Sequence, residues 1–247
     1  MSRPMLACKC EDVRKLRFPV LGTPKLDGIR CLTVPPVVIR GRDHFCDAMS
    51  RNIKPIPNIF TQLQMSALLR PGMDGELLAH DSDAGWPTLP TFQQCSSLIM
   101  SHDGFPSFRY YVFDINPRNM GGIKDPGYQG RIEVLAKLHL PDWCVKVLPV
   151  TIPDVDHLAA YEAACISEGY EGVMIRTPES PYKEGRSTFR EQWLVKIKRF
   201  EDSEAEVLEV IERYTNNNEQ TKDANGYSVR SSHQSGFTPA GDMGALR

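Results

Sequence analysis

The chain has 247 residues, 41% of them hydrophobic, and carries a formal charge of −2 at pH 7. That is enough apolar material for one large domain, or for a domain with a small companion, and it excludes global disorder. A charge so near zero excludes a protein that coats nucleic acid by bulk electrostatics, but not one with a local basic groove.

The opening MSRPMLACKC lacks the apolar core of a signal peptide, and no apolar run reaches membrane-spanning length, so no membrane association is expected. The seven cysteines are scattered without a CxxC pair, which points to a reducing compartment and a cytoplasmic protein. Cys8 with Cys10, and His44 with Cys46, lack structural-zinc spacing and are read as core or surface thiols.

Short apolar runs bounded by turn residues predict strands over Ile29–Val34, Val37–Ile39, Gly75–Ala79, Arg109–Ile115, Val145–Val150, Val173–Arg176 and Trp193–Ile197. Helices are expected over Asn58–Leu69, over Ile132–Leu138, and from about Asp154 to Gly169, where an acidic N-cap and a terminal glycine bracket the pattern. Strands and helices interleave irregularly, which predicts an α+β fold rather than repeated βαβ units. Glu204–Glu212 alternates acidic and apolar residues as a strand would, and Tyr214–Ala240 is rich in Asn, Ser, Gly and Gln. A domain boundary is therefore placed near Phe200–Asp202, giving domains 1–200 and 201–247.

Five strand-borne fragments carry chemistry. Lys25-Leu26-Asp27-Gly28-Ile29-Arg30 alternates a lysine, a carboxylate and an arginine around a glycine that permits close backbone approach. Met73-Asp74-Gly75-Glu76-Leu77-Leu78 puts a carboxylate on a short apolar strand, and Tyr110-Tyr111-Val112-Phe113-Asp114-Ile115 is an aromatic strand with one acid. Glu171-Gly172-Val173-Met174-Ile175-Arg176 opens a strand with a glutamate. Leu194-Val195-Lys196-Ile197-Lys198 places two lysines on one strand face with apolar residues on the other. Each has a plain alternative: Glu76 and Glu171 as edge charges, Phe113 as core, Lys196 and Lys198 as a solvated face, KxDG as a turn. Their joint occurrence in this order is what carries weight.

In these fragments the chain resembles the covalent nucleotidyltransferase superfamily of DNA ligases, RNA ligases and mRNA capping enzymes, from about Gly22 to Phe200. It is most similar to small bacteriophage ATP-dependent DNA ligases, through Ser50-Arg51-Asn52-Ile53-Lys54-Pro55 and Tyr182-Lys183-Glu184-Gly185-Arg186-Ser187-Thr188 as well. The resemblance implies an ATP-grasp-like adenylation domain of antiparallel sheets flanked by helices, followed by a partial OB-fold. It implies ATP as AMP donor, Mg²⁺ or another divalent metal, nicked duplex DNA as partner, and a monomer in the cytoplasm, including that of a phage-infected bacterium.

By the same resemblance Lys25 is the AMP-accepting nucleophile. A lysine near its reference pKa of ~10.4 is protonated and inert at neutral pH, so Lys196, Lys198 and Arg30 are expected as cationic neighbours that free its amine. Lys196 and Lys198 would hold the α-phosphate, and Glu76 and Arg30 the ribose. Phe113 and Val173 would sandwich the adenine, and Glu171 would hold the metal with Asp27 in support. Arg51 and Lys54 are assigned to the nick 5′-phosphate, Lys183 and Arg186 to the flanking backbone. The expected activity is the sealing of 5′-phosphate/3′-hydroxyl nicks through lysyl-AMP and an adenylated DNA end. The alternatives are an RNA ligase of the same superfamily, and a truncated adenylate-binding module with little turnover. The latter arises because Glu201–Arg247 matches about half of an OB barrel, which also predicts loose packing over Tyr214–Arg247.

Overall fold

The computed structural model describes residues 3–35, 47–68, 70–79, 89–120, 124–198, 206–222 and 228–247. The expected strand Val37–Ile39, the His44/Cys46 pair and Leu69 lie outside the described residues, as does the boundary segment 200–202. The chain divides into two compact units, Met1–Arg199 and Phe200–Arg247.

Unit 1 begins with short strands β1 (Met5–Leu6) and β2 (Cys8–Lys9), then β3 (Val20–Lys25), β4 (Ile29–Val34) and β5 (Asp47–Ser50). Helix α1 (Ile59–Ser66), β6 (Met73–Ala79), α2 (Phe92–Ile99) and β7 (Phe108–Ile115) follow. The unit continues through α3 (Gly127–Lys137), β8 (Cys144–Lys146), β9 (Val150–Ile152) and α4 (Val155–Ser167). It closes with β10 (Gly172–Arg176), β11 (Gly185–Arg186) and β12 (Val195–Ile197).

Two mostly antiparallel sheets result. The first has the order β2-β12-β10-β3-β9, the second β5-β4-β6-β7-β8, and β1 pairs separately with β11. The fold is thus α+β. One hydrophobic core lies beneath the second sheet, with Met65, Cys95, Ile99, Ile132 and Leu135 of α1, α2 and α3 packed against it. A second core joins Leu158 and Cys165 of α4 to Val173, Ile175, Val195 and Ile197 of the first sheet.

Helix ends follow their local chemistry. The Asn58 side chain accepts from Thr61 N at 2.8 Å to start α1. Asp154 accepts from the amides of Asp156 and His157 to start α4, and Gly169, at φ +88°, follows its end. Helix α2 was not expected; a Thr91/Gln94 capping box starts it. Helix α3 begins at Gly127, five residues before the expected Ile132. The expected strand Val145–Val150 is two strands, β8 and β9, in different sheets.

A buried polar network ties the second sheet to α3 and to β10 of the first sheet. Asp114, 0% exposed, accepts from Arg131 Nε at 2.7 Å and is also paired with Arg176. Arg131 reaches on to Asp125 (2.7 Å) and the Ser180 carbonyl (3.0 Å), and the Arg176 guanidinium stacks over Tyr128 at 4.4 Å. Replacing Asp114 by alanine strands two buried guanidinium groups. The expected cost is about 3–5 kcal/mol, the range for breaking a buried ion pair from one side, read from the urea midpoint. A loss below 1 kcal/mol would show that the arginines find other partners.

In unit 2, β13 (Val210–Asn216) pairs antiparallel with β16 (Phe237–Leu246), and β14 (Gln220–Lys222) pairs with β15 (Ser228–Arg230). Regular strand pairing thus runs through the polar stretch after Tyr214. Among its described residues none is buried.

Candidate active site

Strand pairing sets the site before any side chain is considered. In the first sheet Lys25 lies opposite Gly172, Thr23 opposite Met174, Met174 opposite Lys196, and Leu21 opposite Arg176. Period-two alternation therefore aligns Lys25, Thr23, Met174, Arg176 and Lys196 on one sheet face, while Val173, Ile175, Val195 and Ile197 enter the second core. Lys25, Thr23, Met174, Arg176 and Lys196 line a cavity whose other wall includes Arg30, Glu76 and Phe113 from the second sheet. Arg51 and Arg186 line the same cavity.

Lys25 ends β3, and its carbonyl accepts from Glu171 N at 3.1 Å. The Lys25 ammonium is ion-paired with one Glu171 oxygen, and the Lys198 ammonium with the other. Gly172 makes this approach possible: it sits at φ +148°, and a Cβ there would collide with the Ile197 carbonyl. Burial lowers the Lys25 pKa, and Lys198 and Lys196 act in the same sense; Glu76 and Asp27 oppose them. The direction is the one a nucleophilic amine needs.

Arg30 and Glu76 face each other across β4 and β6. Burial pushes the Glu76 carboxyl up to about 7, against the pull of Arg30 and Lys25. Arg30 donates from Nε and Nη2 to the two oxygens of buried Asp74, at 2.6 and 2.7 Å, and its guanidinium lies 4.6 Å from the Phe113 ring centroid. Burial opposes the charge on Arg30, yet Asp74 holds its pKa above the ordinary value. Its cation is thus paired with Asp74.

One expectation is corrected. Val173 is 0% exposed in the second core and does not line the cavity, because it points to the opposite face of β10. Its neighbour Met174 is turned to the other face of β10 and lines the cavity, as Phe113 does.

The remaining expected residues divide. Asp27 Oδ2 accepts from Phe92 N at 3.2 Å, so this carboxylate meets the start of α2 while acting electrostatically on Lys25. Lys54 is exposed in the turn after β5. Lys183 is ion-paired with both oxygens of Glu191 at 2.8 Å. Arg186 is exposed, and its Nη1 donates to the Ala7 carbonyl at 2.6 Å. Sequence reasoning gave no role to Asp74, Met174, Arg176 or Tyr182, although each lies inside a quoted fragment. Strand parity, applied to Met174 and Arg176, would have put them on the lysine face.

Among the described residues no three His, Cys, Asp or Glu side chains converge as a closed metal cage. The carboxylate the site presents between its lysines is Glu171, and Mg²⁺ is commonly held by one or two carboxylates, water and substrate phosphates.

A family model described as ATP dependent DNA ligase domain matches residues 4–198. A curated protein from Kineococcus radiotolerans named "Probable DNA ligase" is 27% identical over 188 residues, covering 74% of this chain and 36% of that protein. The chain thus spans about a third of the length of that relative. The crystal structure of a Chlorella virus DNA ligase-adenylate is similar at 32% identity, covering 86% of this chain and 75% of the viral one, with a TM-score of 0.65. The ATP-dependent DNA ligase of bacteriophage T7, in complex with ATP, shares the fold at 15% identity and a TM-score of 0.56, over 93% of this chain and 80% of that one.

Proposed function

We propose that this chain, which belongs to the ATP-dependent DNA ligase domain family, seals 5′-phosphate/3′-hydroxyl nicks in duplex DNA, using ATP as AMP donor. The observation that carries the reading is Lys25: a partly buried amine beside Glu171 and Lys198, in the wall of a cavity shared by Phe113, Glu76, Arg30 and Lys196.

In the first step the Lys25 amine, having lost its proton, attacks the α-phosphorus of ATP. A P–N bond forms, the bond to the β-phosphate oxygen breaks, and pyrophosphate leaves. Lys196 and Lys198 hold the α-phosphate oxygens as charge gathers there. Glu76 and Arg30 hold the ribose hydroxyls, and the base lies between Phe113 and Met174. Glu171, with Asp27, would hold a divalent cation that neutralises phosphate charge when bound. Next, a 5′-phosphate oxygen at the nick attacks the lysyl-AMP phosphorus, and the P–N bond breaks. Finally the 3′-hydroxyl attacks the 5′-phosphorus, the phosphodiester forms and AMP departs.

Arg51 and Lys54 serve the nick 5′-phosphate, and Lys183 and Arg186 the flanking backbone. Phosphate contacts carry no sequence information, so sealing is independent of sequence. Residues 201–247 are read as the opening strands of an OB-fold, a reading supported by the β13–β16 and β14–β15 pairing. A monomer is the proposed working state, a reading supported by the cavity that a single copy builds from Lys25, Lys196, Arg30, Glu76 and Phe113. Among the described residues no cysteine is in a disulfide, which supports placement in the cytoplasm, that of a phage-infected bacterium included. Among the described residues no helix is long and apolar enough to cross a membrane.

The test is ATP-driven sealing of an all-DNA nick beside nicks with RNA on either strand. Sealing of the all-DNA nick is expected. Activity confined to RNA-containing nicks would favour an RNA ligase, and ATP binding without any adduct would favour an adenylate-binding module.

Phe113 has its own expected result. Phe113→Leu preserves apolar volume but removes the flat ring, so ATP affinity should fall roughly tenfold while folding is retained. Phe113→Trp should bind ATP nearly as well as the parent. Equal ATP affinity in Phe113→Leu, measured by calorimetry, would reduce Phe113 to a packing residue.

A further inference from the structure

The basic segment 182–188 begins with a tyrosine that the ligase reading leaves unused. The Tyr182 ring is 4% exposed and packs with Met5 and Leu194. Its backbone amide donates to Asp125 Oδ2 at 2.5 Å, and Asp125 is itself held by Arg131. The segment therefore leaves the buried network at a fixed point. The Tyr182 hydroxyl then donates to Asp74 Oδ2 at 2.6 Å.

Asp74 Oδ2 also accepts from Arg30 Nη2, and Oδ1 accepts from Arg30 Nε. A carboxylate with no exposure needs such donors on its oxygens, and a two-point bond to Arg30 exists only while its plane is held in register with the guanidinium. Tyr182 supplies the remaining restraint. Phenylalanine would fill the same volume among Met5 and Leu194, so packing alone does not call for the hydroxyl, whereas a buried phenol without a partner would be costly. The consequence reaches the cavity, because Arg30 lines it and lies over Phe113.

The geometry points to Tyr182 as a positioning residue of the nucleotide site: through Asp74 it fixes the guanidinium of Arg30 against Phe113. This rests on the reading of the cavity as an ATP site. The same bond tethers the segment holding Lys183 and Arg186 to the nucleotide wall, so one side chain braces both ends of the reaction.

The test is single-turnover self-adenylation with ATP varied, in the presence of Mg²⁺, on the parent, Tyr182→Phe, Arg30→Ala and the double variant, with melting temperatures alongside. Tyr182→Phe should raise the ATP concentration for half-maximal rate about tenfold, the scale of one hydrogen bond to a charged group. The rate at saturating ATP and the melting temperature should move far less. In the Arg30→Ala background Tyr182→Phe should add nothing, because its effect passes through Arg30. If Tyr182→Phe does not fold, Asp74→Asn reads the same link with the tyrosine ring in place, and the same rise is expected. An unchanged half-saturation, a loss confined to the saturating rate, or an effect that multiplies undiminished in Arg30→Ala overturns the inference alone. A parent that forms no AMP adduct and binds no ATP overturns the ligase reading and the inference with it.

Discussion

Lys25→Ala will seal no ordinary nick from ATP, with a loss of roughly 10⁴-fold or more, the scale seen when a catalytic nucleophile is deleted. The physical reason is that among the described residues no other lysine combines this burial with a place in the cavity beside Glu171. Lys196 lines the cavity from the middle of β12, and Lys198 is tied to the other oxygen of Glu171. The same variant should still seal a nick that already carries AMP, because that step uses the 3′-hydroxyl as nucleophile. Loss of both activities in a folded variant would make Lys25 a structural element of the DNA site. Retention of both would remove it from the chemistry.

Glu171→Ala should lower self-adenylation at saturating ATP by on the order of 10²-fold or more, as removal of a principal electrostatic group does at a phosphoryl-transfer centre. The carboxylate joins two ammonium groups. Without it Lys25 and Lys198 face each other unbalanced, and the phosphate oxygens lose the acid that would hold a cation against them. Glu171 is only partly buried at the start of β10, so the melting temperature should change little. A rate near the parent's across a range of Mg²⁺ concentrations would contradict the role given to Glu171.

Strand chemistry was largely legible because apolar alternation is a local property. Ile29–Val34 coincides with β4, and Arg109–Ile115 differs from β7 by one residue. The paired lysines around Ile197 sit where parity puts them, and the same rule separates Met174 from Val173. Resemblance names Val173 for the cavity wall, whereas parity turns Val173 into the core and Met174 to the cavity. Strand β3 was hidden by Gly22 and Pro24, residues that ordinarily argue against a strand interior. Helix α2 has Gln and Ser over half its length, so its apolar stripe is thin, although Thr91 and Gln94 spell the capping box that starts it. Gly127 and Gly130 likewise mask the first turn of α3.

What no local pattern reveals is which buried charges find one another. Asp114 with Arg131 and Arg176, and Asp74 with Arg30 and Tyr182, are separated by 17 to 108 residues along the chain and meet only because the sheets and the 180s loop converge. Their partners are set by topology, and the Arg30 side chain shows the consequence. The sequence suggests Arg30 as a cationic neighbour of Lys25, and the fold adds a pairing with Asp74 and a place over the face of Phe113.

The most direct measurement is to incubate the chain with Mg²⁺ and ATP labelled at either the α- or the γ-phosphate, denature it, digest it and map the label. The predicted result is label from the α-phosphate alone, acid-labile and base-stable, on the peptide holding Lys25. Label retained from the γ-phosphate, or an AMP adduct on Lys198 or any other residue, would contradict the assignment of Lys25 as the nucleophile.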